Sequence, residues 1–306
     1  MSATLSTFSD QLADAVERAA RSVVSVHARP RLPSTGVHWR DGVIVTTEAT
    51  VQRDQDITVT LPDGRRIPAQ LAGRDRGTDL AVLRIATGEL PPPVALLGDP
   101  AALRPGHLVL ALGRSGDGGP RAAFGAVSTT GGKWRCWKGG EIDLWIQSDL
   151  TIYPGLGGGP LVSPDAKVLG INSGGLSRPL AVTIPANTVD RVLDQLLAKG
   201  YVARGWLGAA MQPVRFSDAA RSRSGLSHEG GLIILSVESD APAAKAGLMV
   251  GDVIVAIDGH RVEHPDQVLE LLAGDIVGRS LAMELIRGGK QEKVDLLVGE
   301  RPRSRR

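Results

Sequence analysis

Short alternating runs of apolar and polar residues dominate the first 185 positions and predict a succession of β-strands. Runs such as VVSVHA, VIVTT and HLVLALG are separated by turn-forming residues and follow one another without intervening helical patterns. This arrangement is typical of an antiparallel barrel or sandwich. Helical spacing of apolar residues predicts one short helix before the strands, over residues 9–22, with Ser9 as its cap.

A different pattern begins with NTVDRVLDQLLAK, residues 187–199, which is strongly amphipathic. It predicts a helix with a capping box at Asn187 and Asp190 and a C-terminal stop at Gly200. About 100 residues follow in which short strands alternate with short helices, one of them predicted over residues 266–272. The pattern therefore indicates a second, smaller domain of mixed α and β structure.

The composition is consistent with two folded domains. With 306 residues, 42% of them apolar and 22% charged, the chain is neither disordered nor a membrane protein. We predict domains over residues 1–203 and 204–300, and a basic disordered tail over residues 301–306. The net charge is +2 and four arginines lie in that tail. Because the rest of the chain is near neutral, a nucleic-acid-binding face is not expected.

Cysteine content and the N terminus exclude other classes. The single cysteine, Cys136, rules out an internal disulfide and a cysteine-based zinc site, and we expect no metal or cofactor. The N terminus has no basic segment followed by an apolar core, and no run of 18 uncharged apolar residues occurs. The sequence thus predicts no membrane contact and a cytoplasmic location; a periplasmic location is expected only if a leader was omitted from this sequence.

Several segments resemble the HtrA family, in which a trypsin-like protease precedes a PDZ domain. RGWLG, residues 204–208, and SDAPAAKAGLMVGDVI, residues 239–254, resemble the start and the central helix of the family's PDZ domain. SDLTIYPGLGGGPL, RDRGTDLAVLRI and VIVTTEATV resemble the segments that carry the catalytic serine, aspartate and histidine. The resemblance implies a mostly β protein, with a trypsin-like double antiparallel β-barrel followed by a PDZ domain of α+β type.

Two of the three catalytic residues are absent from the positions that match the family. The serine motif places Gly157 at the nucleophile and the histidine motif places Ala49 at the imidazole, so that only Asp79 remains. A serine protease needs a hydroxyl to attack and an imidazole to carry its proton, whereas the carboxylate orients the imidazole. The resemblance therefore implies a degenerate triad and predicts no peptide hydrolysis.

The surrounding residues offer few substitutes. Ser148 and Thr151 flank the turn, but each needs a neighbouring base to become a nucleophile. The backbone amides of Gly155, Leu156 and Gly157 are expected to form an oxyanion-hole-like arrangement, with a simple tight turn as the alternative.

The second domain keeps the features of a peptide-binding module. PDZ domains add an extended C-terminal peptide to a sheet edge and hold its carboxylate on backbone amides. The resemblance implies a carboxylate loop, a pairing strand and a helical wall, formed by Trp206, Leu207, Gly208, Ala209, Met211, Val268, Leu271 and Leu272. For Val268, Leu271 and Leu272, ordinary packing in the core of the domain is the alternative role.

These observations favour an HtrA-like pseudoprotease that binds peptides or protein C termini. Such a protein would act as an adaptor, a scaffold or a chaperone for unfolded clients. Two alternatives remain open: an active serine endopeptidase of the family in protein quality control, and an inactive subunit that regulates an active paralogue. Family trimers are held by aromatic residues of the N-terminal segment, where this chain has only Phe8 before residue 39, so the basis for a homotrimer is slight.

Overall fold

The protein forms two compact units, Met1–Val202 and Ala203–Arg306. The computed structural model describes residues 2–86, 88, 92–114, 116, 118–136, 138–177, 181–218, 221, 229–273 and 276–302. Residues 303–306 of the predicted basic tail lie outside these ranges. None of the described helices is both long enough and apolar enough to cross a membrane.

The first unit contains two closed antiparallel β-barrels of six strands each. The first barrel has the order β1-β2-β3-β6-β5-β4, with β1 Val23–His27, β2 Ser34–Arg40, β3 Val43–Thr47, β4 Ile57–Thr60, β5 Arg66–Asp75 and β6 Leu80–Ile85. The second has the order β11-β14-β13-β12-β7-β8, with β7 Leu108–Gly113, β8 Arg121–Gly131, β11 Trp145–Ser148, β12 Pro160–Val162, β13 Val168–Ser173 and β14 Ala181–Pro185. A separate pair is formed by β9 Trp134–Arg135 and β10 Glu141–Ile142. The predicted double barrel is confirmed.

Each barrel encloses its own apolar core, and a further cluster joins both barrels to the helices. Ile44 and Leu83 are fully buried inside the first barrel, and Ile146 and Leu161 inside the second. The shared cluster includes side chains from strands of both barrels and from the two helices of this unit. Side chains from the two barrels therefore meet in this shared core.

The N-terminal helix is longer than the sequence pattern predicts. Helix α1 spans Ser2–Ala20, so Ser9 lies inside it rather than at its cap, and the predicted range 9–22 is wrong at both ends. No proline or glycine precedes Ser9, and nothing therefore stops the helix from extending toward the N terminus. Its end is fixed by the Ser22 hydroxyl, which donates to the Ala19 carbonyl at 2.9 Å.

The second helix, α2, spans Ala186–Lys199 and lacks the predicted capping box. Its N-cap is Pro185, which has no side-chain acceptor, and the Asp190 carboxylate instead accepts hydrogen bonds from Trp39 Nε1 at 2.9 Å and from Arg40. A tertiary contact has therefore taken the side chain that the local pattern assigned to the cap. The predicted stop is confirmed, since Gly200 is left-handed with a φ of 80°.

The second unit is a sheet with short helices. Its main sheet has the order β16-β17-β18-β20-β21, with β19 paired to β18, and β15 pairs with β22. The strands are β15 Gly205–Trp206, β16 Ala209–Arg215, β17 Gly230–Val237, β18 Val253–Ile257, β19 His260–Arg261, β20 Ser280–Arg287, β21 Lys290–Leu297 and β22 Gly299–Glu300. Two of its helices are described in full, α3 Pro242–Lys245 and α4 Pro265–Leu271. Strand β16 ends the sheet order, and α4 lies beside it.

Candidate functional site

Asp79 is the one residue among the predicted triad positions Ala49, Asp79 and Gly157 that has a polar side chain. It directly precedes β6, is fully buried and has a left-handed backbone with a φ of 57°, which aspartate tolerates better than most residues. The turn before it is held by Asp75, whose carboxylate accepts hydrogen bonds from the Thr78 amide at 2.9 Å and hydroxyl at 2.7 Å. The Asp79 side chain is thereby fixed toward the junction of the barrels.

The Asp79 carboxylate binds one group from each barrel. Its Oδ1 accepts a hydrogen bond from the Ala49 amide at 2.9 Å, and its Oδ2 accepts one from the Ser173 hydroxyl at 2.6 Å. The Asp79 carbonyl also accepts from the Glu48 amide at 3.0 Å. Residue 49 lies in a single 3₁₀ turn after β3 and is exposed, so its side chain begins next to the buried carboxylate and faces solvent.

The lack of a side chain at Gly175 makes room for the Asp79 carboxylate. A Cβ at position 175 would lie 2.6 Å from Asp79 Oδ2, which is closer than real contacts allow. The Ser173 hydroxyl is itself positioned by the amides of Gly175 and Leu176, at 3.1 and 3.2 Å. Asp79 therefore sits in a site built to hold a carboxylate, although position 49 has no side chain that uses it.

Burial raises the pKa of the Asp79 carboxyl above its usual value, although the hydrogen bonds from Ser173 and Ala49 act in the opposite direction. Such a group supports folding below its unfolded pKa of about 3.9, and this contribution is lost as the pH rises through the folded value. An ionised Asp79 thus costs stability near neutral pH.

Replacing Asp79 by asparagine should change how stability depends on pH. From pH 4 to pH 7, the unfolding free energy of Asp79→Asn is expected to rise relative to that of the unmodified chain, because burial raises the Asp79 pKa and asparagine does not titrate. Chemical denaturation at several pH values measures this. Asp165→Asn is the control with the opposite sign, since hydrogen bonds from Ser163 and Lys167 lower the Asp165 pKa. If the difference in unfolding free energy between Asp79→Asn and the unmodified chain does not change with pH, the burial of a titrating charge at Asp79 is contradicted.

The turn that matches the serine motif contains glycines of two kinds. Gly155 and Gly158 have φ values of 98° and 84°, and a Cβ at Gly159 would lie 1.9 Å from the Leu112 carbonyl oxygen. These three positions require glycine for backbone reasons. Gly157 does not: its φ lies outside the left-handed region, and a Cβ built there meets no atom within 4 Å. A side chain at position 157 would therefore be accommodated.

The amides of this turn are only partly available for an oxyanion. Leu156 donates its amide to the Tyr153 carbonyl at 2.9 Å, which removes it from the predicted oxyanion-hole-like set. Among the described residues, no acceptor is found for the amides of Gly155 and Gly157. The Gly155 carbonyl accepts a hydrogen bond from the Thr35 hydroxyl, so a first-barrel strand helps to set the orientation of this turn.

The structure brings Ala49, Asp79 and Gly157 to one place through β13. Ser173 binds Asp79, while its neighbour Asn172 exchanges backbone hydrogen bonds with the turn, from Gly158 N at 2.9 Å and to the Gly159 carbonyl at 2.8 Å. Sequence reasoning missed Ser173, Asn172 and Thr35, because nothing in their spacing links them to the motifs.

Other side chains of the first unit do not replace the missing groups. The buried Ser148 hydroxyl has no partner among the described residues, so no base activates it, and Thr151 is exposed. His27 bonds to Thr60, and neither ring nitrogen of the buried His38 has a polar partner in the described part of the chain. Cys136 is 3% exposed and donates its thiol to the Gly77 carbonyl at 2.6 Å.

The second unit contains a loop of available amides. Trp206 ends β15, Leu207 is buried, and Gly208 has a φ of 75°, after which β16 begins at Ala209. The Leu207 and Gly208 carbonyls are used internally, by the amides of Ala243 and Glu238, both at 2.8 Å. In the described ranges the amides of Leu207 and Gly208 have no backbone acceptor. Such a nest of free N–H groups can hold a carboxylate.

The predicted helical wall divides into two classes of residue. Val268 and Leu272 are 2% and 8% exposed and belong to the core of the unit, and Leu272 is the C-cap rather than part of α4. Leu271 and Met211 are only partly buried against that core. Met211 lies on β16 and Leu271 on α4, which contacts β16, so both keep part of their surface exposed near this strand.

Comparison with known proteins agrees with both folds. Residues 34–171 match the trypsin-like peptidase domain and residues 205–298 match the PDZ domain. The chain is 30% identical to a solved structure described as HtrA-type protease AlgW with tripeptide, covering 96% of this chain and 98% of that one with a TM-score of 0.75. The chain belongs to the HtrA family. A serine endoprotease from Yersinia pestis gives the same TM-score of 0.75 at 28% identity, covering 95% and 98% of the two chains.

HtrA relatives also correct the predicted location. A probable periplasmic serine endoprotease, DegP-like, of Brucella suis is 37% identical over 283 residues, covering 90% of this chain and 54% of that protein. One of Halomonas elongata is 34% identical and covers 91% and 58%. The chain spans little more than half the length of these relatives. Because they are named as periplasmic, the cytoplasmic location predicted from the N terminus is wrong; that segment carries no positive information about export.

Proposed function

We propose that this HtrA-family chain is a pseudoprotease that binds peptides or free protein C termini through its PDZ domain. It would act as an adaptor, a scaffold or a chaperone for unfolded clients. The observation that carries the proposal is the centre around Asp79, in which a well-held carboxylate lies beside Ala49 and Gly157. Peptide hydrolysis needs a nucleophile and a base at these two positions, and neither residue has a polar side-chain atom.

The relatives named as serine endoproteases support the alternative of an active enzyme, but the described residues around the centre oppose it. An active site would need another hydroxyl near a base. Ser173 donates its hydroxyl to Asp79, and in the described part of the chain no imidazole contacts that carboxylate and the Ser148 hydroxyl has no partner. We therefore favour loss of hydrolysis over a relocated nucleophile.

Peptide binding is supported by the second unit. Within the described ranges, the amides of Leu207 and Gly208 have no backbone acceptor and are available to a carboxylate, and β16 leaves one edge of the sheet unpaired. An edge strand next to an amide nest is the arrangement that captures a C-terminal peptide as an added strand. One solved HtrA-type structure is described with a tripeptide.

Two measurements on the purified full chain test the proposal. Casein should remain uncleaved, and a fluorophosphonate probe should label no serine, under conditions in which an HtrA relative with an intact triad does both. The peptide Ac-Val-Val-Leu should bind with a Kd on the order of micromolar, as measured by calorimetry. Cleavage that persists after trace host proteases are removed would contradict the loss of hydrolysis, and absence of peptide binding would contradict capture of C termini.

A further inference from the structure

We infer that Pro213 limits the peptide-binding edge to the last few residues of a ligand, so that the PDZ domain recognises a short C-terminal segment. The inference rests on the proposed capture of C termini and adds a residue that sets the length of the segment recognised. It depends on which backbone groups of β16 face the unpaired edge.

The hydrogen bonds at the two ends of β16 fix that direction. The Gly208 carbonyl accepts from the Glu238 amide at 2.8 Å, and the Phe216 amide donates to the Glu229 carbonyl at 2.8 Å. Both bonds join even-numbered residues of this strand segment to β17. Because backbone groups alternate along a strand, the odd-numbered residues Ala209, Met211 and Pro213 face the free edge.

An irregularity within the strand pair does not disturb this alternation. Ala210 is opposite Ser236 while Met211 is opposite Ile234, so the extra residue is Leu235 in β17. Strand β16 itself contains no inserted residue, and its period of two continues from Gly208 to Phe216. Pro213 agrees with this assignment, since proline is found in edge strands where its nitrogen faces away from the ladder.

The register of a bound peptide follows from these directions. If the terminal carboxylate lies on the amides of Leu207 to Ala209, an antiparallel peptide has its last residue opposite Ala209 and its third-last opposite Met211. The fifth-last residue then lies opposite Pro213. Met211 can donate its amide to the peptide, whereas Pro213 has no N–H to donate.

The proline ring adds a steric effect to the missing donor. Its Cδ occupies the direction in which an amide hydrogen would point, so a peptide carbonyl is held at van der Waals distance there. The Pro213 carbonyl can still accept one hydrogen bond from the peptide, but a hydrogen-bonded residue pair of an antiparallel ladder needs two. Beyond the fourth-last residue, a peptide is therefore expected to leave the strand, and its remaining length should add little affinity.

Calorimetry on the full chain with two acetylated peptides tests this inference. In the unmodified chain, Ac-Val-Val-Leu and Ac-Ala-Ala-Ala-Val-Val-Leu are expected to bind within about 2-fold of each other, because the added alanines contribute mainly backbone. In Pro213→Ala, the hexapeptide should bind about 2- to 10-fold more tightly than before, as one hydrogen bond predicts, while the tripeptide is unchanged.

Gln212→Ala is the matched control, because Gln212 is exposed and its backbone faces β17 rather than the free edge. Gln212→Ala should change the affinity for neither peptide. If the unmodified chain binds the hexapeptide at least 5-fold more tightly than the tripeptide, the limit set by Pro213 is overturned. The proposed capture of C termini would not be affected by that result. Absence of binding by both peptides would overturn the proposed function and this inference with it. The comparison in the unmodified chain remains decisive even if Pro213→Ala does not fold.

Discussion

The double variant Ala49→His with Gly157→Ser is expected to react with a fluorophosphonate probe, whereas either single variant should not. Two structural conditions support this result. The Ala49 amide is bound to Asp79, so an imidazole at position 49 would begin next to the carboxylate that must orient it. Position 157 has an ordinary φ and open space, so serine fits without strain.

The expected size of the effect follows from how such groups cooperate. A general base contributes about 10²–10⁴-fold to rate, so the double variant should be labelled at least about 10²-fold faster than Gly157→Ser alone. The amides of Gly155 and Gly157 stand at the two positions that supply the oxyanion donors in a trypsin-like protease, and they have no acceptor among the described residues, so both remain available in the double variant.

A variant with glutamine in place of histidine provides the control. Ala49→Gln with Gly157→Ser fills the same space but supplies no group that accepts the proton, and should remain unlabelled. Equal labelling of Gly157→Ser and of the double variant would contradict the assignment of Ala49 to the histidine position. Mass spectrometry of the labelled peptide identifies the serine that reacted.

Adding a single methyl group at Gly208 is expected to weaken binding of Ac-Val-Val-Leu by about 10- to 100-fold, as the loss of one or two hydrogen bonds to a charged group predicts. Gly208 has a φ of 75°, and a Cβ there would lie 2.2 Å from the Ala241 Cβ and 3.0 Å from the Trp206 ring. In Gly208→Ala the loop must therefore move, and the amides that hold the carboxylate move with it.

Gly247→Ala separates this displacement from backbone strain. Gly247 has the same φ of 75°, but a Cβ there meets no atom within 4 Å. Gly247→Ala should lose only the stability that the backbone strain costs, and should keep the affinity of the chain for the peptide. Amidating the peptide C terminus should weaken binding to the unmodified chain as strongly as Gly208→Ala does, and calorimetry compares the three. Binding that is indifferent to amidation would contradict carboxylate capture by this loop.

Strand alternation and turn residues are local signals, and they predicted an antiparallel barrel or sandwich; the double barrel was predicted from the resemblance to the HtrA family. The hydrogen-bond partners of individual side chains could not be predicted from the sequence in the same way. Asp190 matched a capping box, but in the fold it binds Trp39 and Arg40, which lie 150 positions away in the chain. Ser173 binds Asp79 across the barrel junction, and no local pattern reports such a contact.

Glycine-rich segments were the hardest part of the site to interpret from sequence. The sequence alone does not distinguish the four glycines of the turn. The structure shows that the backbone requires glycine at positions 155, 158 and 159 but not at Gly157. Helical periodicity had the same limit at α4, where it could not separate the buried Val268 from the partly exposed Leu271.

The open space at position 157 makes the chain suitable for site-specific attachment of a reporter group. Its only cysteine, Cys136, is buried and hydrogen-bonded, so a cysteine introduced at position 157 would be the more accessible thiol of the two. A fluorophore attached there would report on any polypeptide that enters the centre around Asp79. If the chain does not hydrolyse peptides, as proposed, such a probe would measure the residence time of the bound polypeptide directly.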